Sequence, residues 1–382
     1  MSSFGSLLKA PLHQTRNNSP RINTDNTVQK KPCYPCDLWL IFCFIIPPTP
    51  ELCTRKLHAG ETISMFRTKS RYWSACLLVL MLALPIAANA QDNKDKKDKD
   101  KKEKKELTGK PVMWKDPTDL ETRNLILGAG GEEMKPDIST ITYIEDKTGG
   151  YSKKYRVKDA QGNEWIAKIG KEAQTDTAAN RLLWALGYET EIAYLIPHLK
   201  IEGKGEFDNV RLEARPADVK RRGNWMWENN PFQTTPQFRG LKILMVMLNN
   251  WDMKDDNNEI LAMRGDTTGE GELRYIISDL GATFGKTGGF LSRSRNDVPD
   301  YVKAEFIKKV NGDVIDFSYS GKNQKLFEGL TVADARWLST LMKRLSDDQI
   351  KDAFRSANYS AEEIDLLAGA LRERINALAK LG

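Results

Sequence analysis

Residues 248–261 read LNNWDMKDDNNEIL, a polar and acidic stretch that directly follows the apolar run FRGLKILMVM at residues 238–247. The apolar run is hydrophobic on nearly every side, as expected of a helix buried in a protein core. Asp252 and Asn257 stand five residues apart just after it. They belong either to an acidic surface loop or to a loop that holds charged groups for catalysis, and the rest of the chain decides between the two.

The composition excludes several kinds of site. The chain has 382 residues, of which 40% are apolar and 29% charged, which is typical of a globular protein. All five cysteines precede residue 90, and His198 is the one histidine beyond it. Disulfides, thiol nucleophiles and His/Cys metal sites are therefore excluded from the main body. The net charge of +6 is not concentrated in one arm, so we expect no nucleic-acid partner.

The first 106 residues predict export. Residues 65–90 run from a basic segment through an apolar one to the small residues ANA, which is typical of a signal peptide cleaved near Ala90. An uncleaved N-terminal anchor is the alternative. We interpret residues 1–64 as a mis-annotated upstream extension and Met65 as the true start. Residues 91–106 mix lysine with acids, so we expect a disordered tether, either solvated or in contact with the cell surface. The mature protein is then periplasmic or extracellular.

The following segment predicts a small sheet. Residues 139–170 alternate apolar and polar residues in three runs separated by KTGG and AQGNE, which predicts three antiparallel strands, the third ending on Lys168. Residues 175–188 predict a helix capped by Thr175 and ended by Gly187. Two further strands, at residues 191–199 and 209–216, would complete a five-stranded sheet with one helix.

The second half of the chain is different in character. Residues 259–263 and 273–281 predict short strands joined by a glycine-rich connection, and the apolar spacing after Thr331 predicts three helices. These elements give an α+β fold with a β-rich N-lobe at residues 107–230, a helical C-lobe at residues 231–382 and a cleft between the lobes.

Four short motifs then resemble, in order, those of the protein-kinase-like fold. They are the glycine turn TGGYS (148–152), the strand WIAKIG (165–170), the loop NWDMKDDN (250–257) and the tripeptide DLG (279–281). The loop is similar, without a gap, to the kinase catalytic loop His-Arg-Asp-Leu-Lys-x-x-Asn, and DLG is similar to Asp-Phe-Gly. Asn250 and Trp251 replace the family's His and Arg. The chain therefore resembles the atypical kinases, which include secreted Golgi casein kinases, HipA-like kinases and the phosphoinositide-kinase-like group.

The resemblance implies roles in binding nucleotide. The backbone N–H groups of Gly149 and Gly150 would lie on phosphates, and Lys168 would bind the α- and β-phosphates with an acidic partner from the following helix. Glu172 and Asp176 are the candidates for that partner. We favour Asp176, because we expect it in the first turn of the helix, and we expect Arg181 to organise it.

The resemblance also implies roles in phosphoryl transfer. Asp252 would orient the acceptor hydroxyl, and Lys254 would neutralise the transferred γ-phosphate. Asn257 and Asp279 would bind Mg²⁺, or Mn²⁺, through oxygen atoms, which are the ligands that hard cations prefer.

Two functions follow from the resemblance. The first is a Mg²⁺-dependent ATP phosphotransferase of atypical kinase type, acting on a hydroxyl of a protein, lipid or sugar in an extracytoplasmic compartment. The alternative is a catalytically silent, exported kinase-fold protein that binds nucleotide or metal, because ATP is scarce outside the cytoplasm. The presence of all the motif residues favours activity. The sequence identifies neither the acceptor nor the oligomeric state, and it leaves residues 293–301 as either a substrate loop or a solvated connection.

Overall fold

The structure, a computed structural model, describes residues 108–263 and 270–381. The predicted upstream extension, signal peptide and tether lie outside the described residues, as does most of the glycine-rich connection after Met263. Within the described ranges, no helix has the length and apolar character needed to span a membrane.

The described chain starts with β1 (Lys110–Val112) and two short 3-10 turns, at Leu120–Thr122 and Gly128–Gly130. Five antiparallel strands then form the first sheet in the order β2-β3-β4-β6-β5. These strands are β2 (Thr142–Lys147), β3 (Lys153–Lys158), β4 (Glu164–Ile169), β5 (Ala193–Ile201) and β6 (Gly205–Ala214). The five-stranded sheet predicted from the alternating pattern is confirmed.

The alternation of side chains along β4 separates a core face from a cleft face. Trp165 and Ala167 are buried in an apolar cluster that also holds Tyr194 and Leu212. Lys168 lies on the opposite face, which α1 (Lys171–Ala185) covers. The sheet therefore buries its apolar face in its own lobe and presents the lysine toward the rest of the molecule.

Helix α1 begins four residues earlier than the sequence predicted. Gly170 precedes it with a φ of 104°, and this left-handed conformation turns the chain from β4 directly into the helix. Thr175 is therefore a buried residue inside the helix, and the prediction that it caps the helix was wrong. For the same reason Asp176 lies in the second turn, and Glu172 occupies the first turn. Gly187, with a φ of 90°, follows the helix end as predicted.

A second sheet, in the order β1-β9-β8-β7, takes strands from distant parts of the chain. Its other members are β7 (Val219–Arg221), β8 (Asn258–Met263) and β9 (Glu272–Ile277). The predicted pair of β8 and β9 is antiparallel, whereas β1 runs parallel to β9, with Lys110 opposite Glu272. The involvement of β1 and β7 was not predicted, because three-residue strands carry no periodic signal.

Helices dominate the C-terminal part. They are α2 (Pro236–Met247), α3 (Val298–Lys303), α4 (Val332–Met342), α5 (Asp347–Arg355) and α6 (Ala361–Ala379), with a hairpin of β10 (Ile307–Asn311) and β11 (Val314–Phe317) after α3. The three helices predicted after Thr331 are confirmed, and each begins with a capping box in which an N-cap hydroxyl and an N3 side chain bond each other's backbone N–H. The chain thus has the predicted two-lobed, kinase-like α+β fold, with a sheet-rich N-terminal part and a helical C-terminal part.

Candidate active site

Lys168 lies at the centre of a cluster of carboxylates where the two lobes meet. Its Nζ atom is 2.8 Å from Oδ2 of Asp176, 2.9 Å from Oδ1 of Asp279 and 3.3 Å from Oε2 of Glu172. The lysine side chain is only 4% exposed. Burial alone would lower the pKa of Lys168, but the charges of Asp176 and Asp279 outweigh it and raise the pKa. The lysine is therefore a buried, permanent cation.

Asp176 also fixes the position of the DLG tripeptide. Its Oδ1 atom accepts a hydrogen bond from the backbone N–H of Leu280 at 2.9 Å, while the hydroxyl of Thr175 donates to the carbonyl of Gly281 at 3.0 Å. The second turn of α1 thereby holds the tripeptide against Lys168. Burial alone would raise the pKa of Asp279, but Lys168 and the N–H of Gly281 hold it at about 2.

Arg181 does not organise this acid, contrary to the sequence prediction. Its guanidinium donates to the carbonyl of Ala193 at 2.7 Å and packs on the ring of Tyr194, and burial lowers its pKa to about 10. Arg211 lies near Asp176 instead, with Nη1 3.8 Å from Oδ2. The reason is register, because Arg211 stands directly opposite Lys168 in the pairing of β4 with β6.

The predicted catalytic loop joins α2 to β8 and is held from both ends. Nδ2 of Asn257 donates to the backbone carbonyl of Asp252 at 2.5 Å, and Lys254 donates to the Asp252 carboxylate at 2.7 Å. The carbonyl of Asn257 accepts hydrogen bonds from the backbone N–H groups of Ser278 and Asp279. The loop and the DLG tripeptide are therefore neighbours, although the β8–β9 hairpin separates them in sequence.

The side-chain oxygen atoms of Asn257 and Asp279, where the catalytic loop meets DLG, are of the type that binds a hard divalent cation. Asn257 uses its amide nitrogen on Asp252, which leaves the amide oxygen for a cation, and the Asp279 side chain is 34% exposed. One amide oxygen and one carboxylate are the small protein ligand set typical of Mg²⁺ that is also held by water and phosphate oxygens. The described residues contain no group of three or more His, Cys, Asp or Glu side chains able to hold a metal by themselves. Asn257 and Asp279 are thus the two residues of these motifs that would hold a divalent cation.

The glycine turn contacts α1 and the segment after DLG through Tyr151 and Ser152, the two residues after Gly149 and Gly150. Both glycines have positive φ, 103° and 78°, in the exposed turn between β2 and β3. The Ser152 hydroxyl donates to Glu172 at 2.5 Å, and the Tyr151 ring packs 4.6 Å from the Arg295 guanidinium. Arg295 in turn forms an ion pair with Glu172. The turn is therefore tied to α1 and to the segment after DLG.

A buried ionic network extends from the lysine cluster toward the segment between β6 and β7. Glu213 pairs with Arg211, Arg215 and Arg221, and Arg221 also pairs with Glu191 at 2.6 Å. Ser278, the residue before Asp279, donates to Glu191 at 2.9 Å. Burial and the neighbouring charge of Glu213 raise the pKa of Glu191. The network ties the first sheet to the second just beside the DLG tripeptide.

A cleft of about 1020 Å³ opens along this network. Its walls include Arg156 and Ile166 of the first sheet, Pro216 in the connecting segment, and Leu261 and Met263 of β8. Lys168, Asp252 and Asp279 do not line it. The lysine is surrounded by the carboxylates of Glu172, Asp176 and Asp279. Ile166 nevertheless lies two residues before Lys168 on the same face of β4, so the cleft adjoins the lysine cluster.

Sequence reasoning missed three contributors to this arrangement. Arg211 gave no signal, because its register opposite Lys168 appears only when the strands are paired. Arg295 and Tyr151 were part of noted segments, yet their contact joins loops about 140 residues apart and has no local pattern. Glu172 was the second choice beside Asp176, and both acids reach the lysine.

Comparison with known proteins gives solved kinases at low similarity. No family model and no curated protein matches the sequence. Similar solved structures include the Helicobacter pylori proinflammatory kinase CtkA (13% identity, 63% of this chain and 96% of that chain covered, TM-score 0.39). They also include a Golgi casein kinase with Mn/ADP bound (9% identity, 65% of this chain and 74% of that chain covered, TM-score 0.32). A third is the Chaetomium thermophilum Rio2 kinase in an ADP/Mg²⁺-phosphoaspartate complex (11% identity, 63% of this chain and 73% of that chain covered, TM-score 0.29). None of these three TM-scores reaches 0.5, so the kinase-like description depends on the geometry of this chain.

Proposed function

We propose that the protein is a divalent-metal-dependent phosphotransferase that moves the γ-phosphoryl group of ATP to a hydroxyl group. The observation that carries the proposal is the convergence of three motifs on one point. Lys168 contacts Asp176 and Asp279 together, and the carbonyl of Asn257 accepts from the backbone of Asp279. If residues 250–257 were only an acidic surface loop, we would not expect them to be bonded to Asp279, the aspartate that pairs with the buried Lys168.

In this proposal the motif residues have three roles: binding phosphate, binding the cation and positioning the acceptor. Lys168 supplies a buried positive charge for phosphate oxygens, and Asp176, which lies near Arg211 as well, holds the lysine in place. Asn257 and Asp279 supply the oxygen atoms for the cation, which when bound would neutralise charge on the phosphates. Asp252 would orient the acceptor hydroxyl and accept its proton, and Lys254, which is paired with Asp252 at 2.7 Å, would move from Asp252 to the transferred group.

The nucleoside occupies the adjoining cleft in this proposal. A volume of about 1020 Å³ is at the upper end of the range found for small-molecule pockets. Ile166 and Leu261 both line the cleft, one from each sheet, and would offer apolar surface to a planar base. From there the phosphates extend along β4 toward Lys168.

A catalytically silent nucleotide-binding protein is the second candidate. The observation that favours it is the ion pair of Asp252 with Lys254, which engages the carboxylate that a catalytic base needs free. The ion pair does not exclude catalysis. Lys254 is exposed, so it could move from Asp252 to the phosphate and leave the Asp252 carboxylate free to position the acceptor.

Two substitutions in the full chain separate these functions. Asp252→Asn leaves the cation and lysine sites intact, so ATP with Mg²⁺ still binds, while transfer falls about 10²–10⁴-fold. Asp279→Asn weakens the Mg²⁺-dependent part of binding as well as transfer. Asp256→Asn is the matched control, because Asp256 is an exposed aspartate of the same loop. The assays are nucleotide titration, ATP hydrolysis and autophosphorylation for each variant.

The outcomes are distinct. Wild type that binds nucleotide but never transfers phosphate to itself, water or a panel of acceptors is the silent binder. Asp252→Asn with wild-type turnover removes the catalytic loop from the mechanism. A thermal melt in which no nucleotide and no divalent ion raises the midpoint contradicts both candidates, since ligand at about 100 times its dissociation constant adds about 2.7 kcal/mol of stability.

We further propose that the protein works outside the cytoplasm, with cleavage after Ala90. The support is the sequence of residues 65–90, which lie outside the described residues. N-terminal sequencing of the native exported protein tests it: Gln91 is the expected first residue, and a product that retains Cys33 and Cys36 contradicts it.

A further inference from the structure

Three side chains on the two loops beside the predicted catalytic loop are exposed far beyond the other large apolar residues that the structure describes. Leu291 is 95% exposed, Tyr151 83% and Phe290 81%, whereas no other large apolar side chain in the described ranges exceeds 48%. Tyr151 belongs to the glycine turn, and Phe290 and Leu291 belong to the segment after DLG. We refer to Tyr151, Phe290 and Leu291, with Arg293 beside them, as the mouth patch.

Alternating rings and guanidinium groups bring the two loops together beside the catalytic loop. The Arg293 guanidinium packs 4.0 Å from the Trp251 ring and 5.4 Å from the Phe290 ring. Arg295 packs 4.6 Å from Trp251 and 4.6 Å from Tyr151. Trp251 immediately precedes Asp252, and its indole N–H donates to the carbonyl of Ser294 at 2.7 Å. The mouth patch is therefore held next to the aspartate that would orient an acceptor.

The two loops that carry the mouth patch are basic in sequence. Residues 147–154 and 280–296 contain no aspartate or glutamate, but they contain six lysines and arginines. Some of these charges are engaged, since Arg295 pairs with Glu172 and Lys286 lies 3.7 Å from Asp300. Arg293 contacts aromatic rings and, among the ion pairs of the described residues, joins no carboxylate. The mouth patch therefore has apolar tips with Arg293 beside them, and the neighbouring acids Glu172 and Asp252 are paired with Arg295 and Lys254.

We propose that the mouth patch docks on an anionic lipid bilayer, with Phe290 and Leu291 inserted among the lipids and Arg293 at the level of the headgroups. Aromatic and aliphatic side chains with cations beside them are the combination that partitions into a membrane interface. Docking would place a membrane-borne hydroxyl beside Asp252, and this second step depends on the proposed phosphotransferase function.

A bilayer fits this surface better than an acidic polypeptide does. An acidic chain would pair with the cations, but it would give Leu291 no apolar surroundings, because Leu291 stands out from the protein instead of lining a groove. Only an apolar phase that surrounds the tip removes such a side chain from water.

Vesicle sedimentation of the purified full chain, without nucleotide, tests the proposal. Vesicles of phosphatidylcholine with phosphatidylserine should bind the protein more tightly than vesicles of phosphatidylcholine alone, and added salt should weaken the binding. The double variant F290S/L291S should bind roughly ten- to hundredfold more weakly, from the loss of two inserted side chains. Arg293→Gln should remove part of the preference for phosphatidylserine. The matched control is V302S/L366S, which changes two exposed apolar residues elsewhere and should bind like wild type.

Three results would overturn the proposal. The first is wild type that does not bind the vesicles at all. The second is equal binding by wild type and F290S/L291S, which would locate any membrane contact in another segment, the N-terminal residues included. The third is binding to a glutamate–tyrosine copolymer that F290S/L291S loses while vesicle binding is unchanged, which would make the partner an acidic polypeptide. Because vesicle binding needs no nucleotide, failure of the phosphotransferase tests leaves this result standing, and the reverse also holds.

Discussion

Asp176→Asn and Glu172→Gln form a matched pair of substitutions, because both acids lie on α1, one turn apart, and both reach Lys168. Asp176 is fully buried, accepts from Lys168 at 2.8 Å and from the Leu280 N–H at 2.9 Å, and lies 3.8 Å from Arg211. With a neutral amide in its place, the buried cations Lys168 and Arg211 lose one of the anions that they face. Removing one partner of a buried ion pair costs about 3–5 kcal/mol. We expect about 3 kcal/mol here, because Glu172 and Asp279 still face the lysine.

Glu172→Gln should cost less, about 2 kcal/mol, because the amide keeps one oxygen for the Ser152 hydroxyl while Asp176 and Asp279 still face the lysine. The Glu172 carboxylate is buried and lies 3.3 Å from Lys168, but its other partners, Ser152 and Arg295, are partly exposed, so water replaces part of what they lose. Urea denaturation followed by circular dichroism measures both free energies of unfolding, and titration with ATP and Mg²⁺ follows on each folded variant. Asp176→Asn should also lose nucleotide affinity, whereas Glu172→Gln should keep it. A Glu172→Gln variant that is as destabilised as Asp176→Asn would refute the choice of Asp176 as the residue that holds Lys168.

Two further predictions concern the scaffold. Gly187→Ala should destabilise the protein by about 2 kcal/mol or more, because Gly187 has a φ of 90° and a Cβ there would overlap the carbonyl oxygen of Lys115. The control Gly203→Ala, at a φ of 75° with open space around it, should cost about 1 kcal/mol, and equal losses in thermal melts would exclude the clash as the cause. Asp334→Asn should cost about 1–2 kcal/mol at neutral pH, because Asp334 accepts hydrogen bonds from Arg239 and from the Thr331 N–H at the start of α4. Burial alone would raise the pKa of Asp334, but these partners lower it below 3.8, so its contribution is present above about pH 5 and is lost as the pH falls through the lowered folded-state pKa. The stability difference between wild type and Asp334→Asn should therefore shrink toward acid pH, and a constant difference down to about pH 2 would contradict the assignment.

The sequence predicted the regular elements because their signals are local. The alternation in residues 139–170 and the apolar spacing after Thr331 each depend on neighbours within one strand or one helix, and the structure agrees with both. The start of α1 was predicted too late for a related reason. Thr175 is a good capping residue by type, but the turn that starts the helix depends on the φ of Gly170, which the sequence pattern did not reveal.

The candidate site was predictable as far as its motifs were contiguous. Residues 250–257 and the DLG tripeptide were found as strings, and the structure brings them together through the carbonyl of Asn257. The residues around Lys168 were harder to predict from the sequence, because they come from a helix, two strands and a loop. Arg211 depends on strand register, and Arg295 depends on the path of a loop. The functional roles assigned to all of the site residues stay predictions: Gly149, Gly150, Lys168, Asp176, Asp252, Lys254, Asn257 and Asp279.

The parallel pairing of β1 with β9 has a consequence for how the chain reaches its fold. Lys110 cannot meet Glu272 until nearly all of the first lobe and the helix α2 have left the ribosome. A strand that must wait for so distant a partner forms late, since closing a long loop costs entropy before any contact compensates it. The first sheet, whose strands are neighbours in sequence, can assemble early, whereas the second sheet can be complete only after β9 has been synthesised. A division at residue 230 puts β1 and β7 in one lobe and β8 and β9 in the other, so neither lobe alone holds the whole of that sheet.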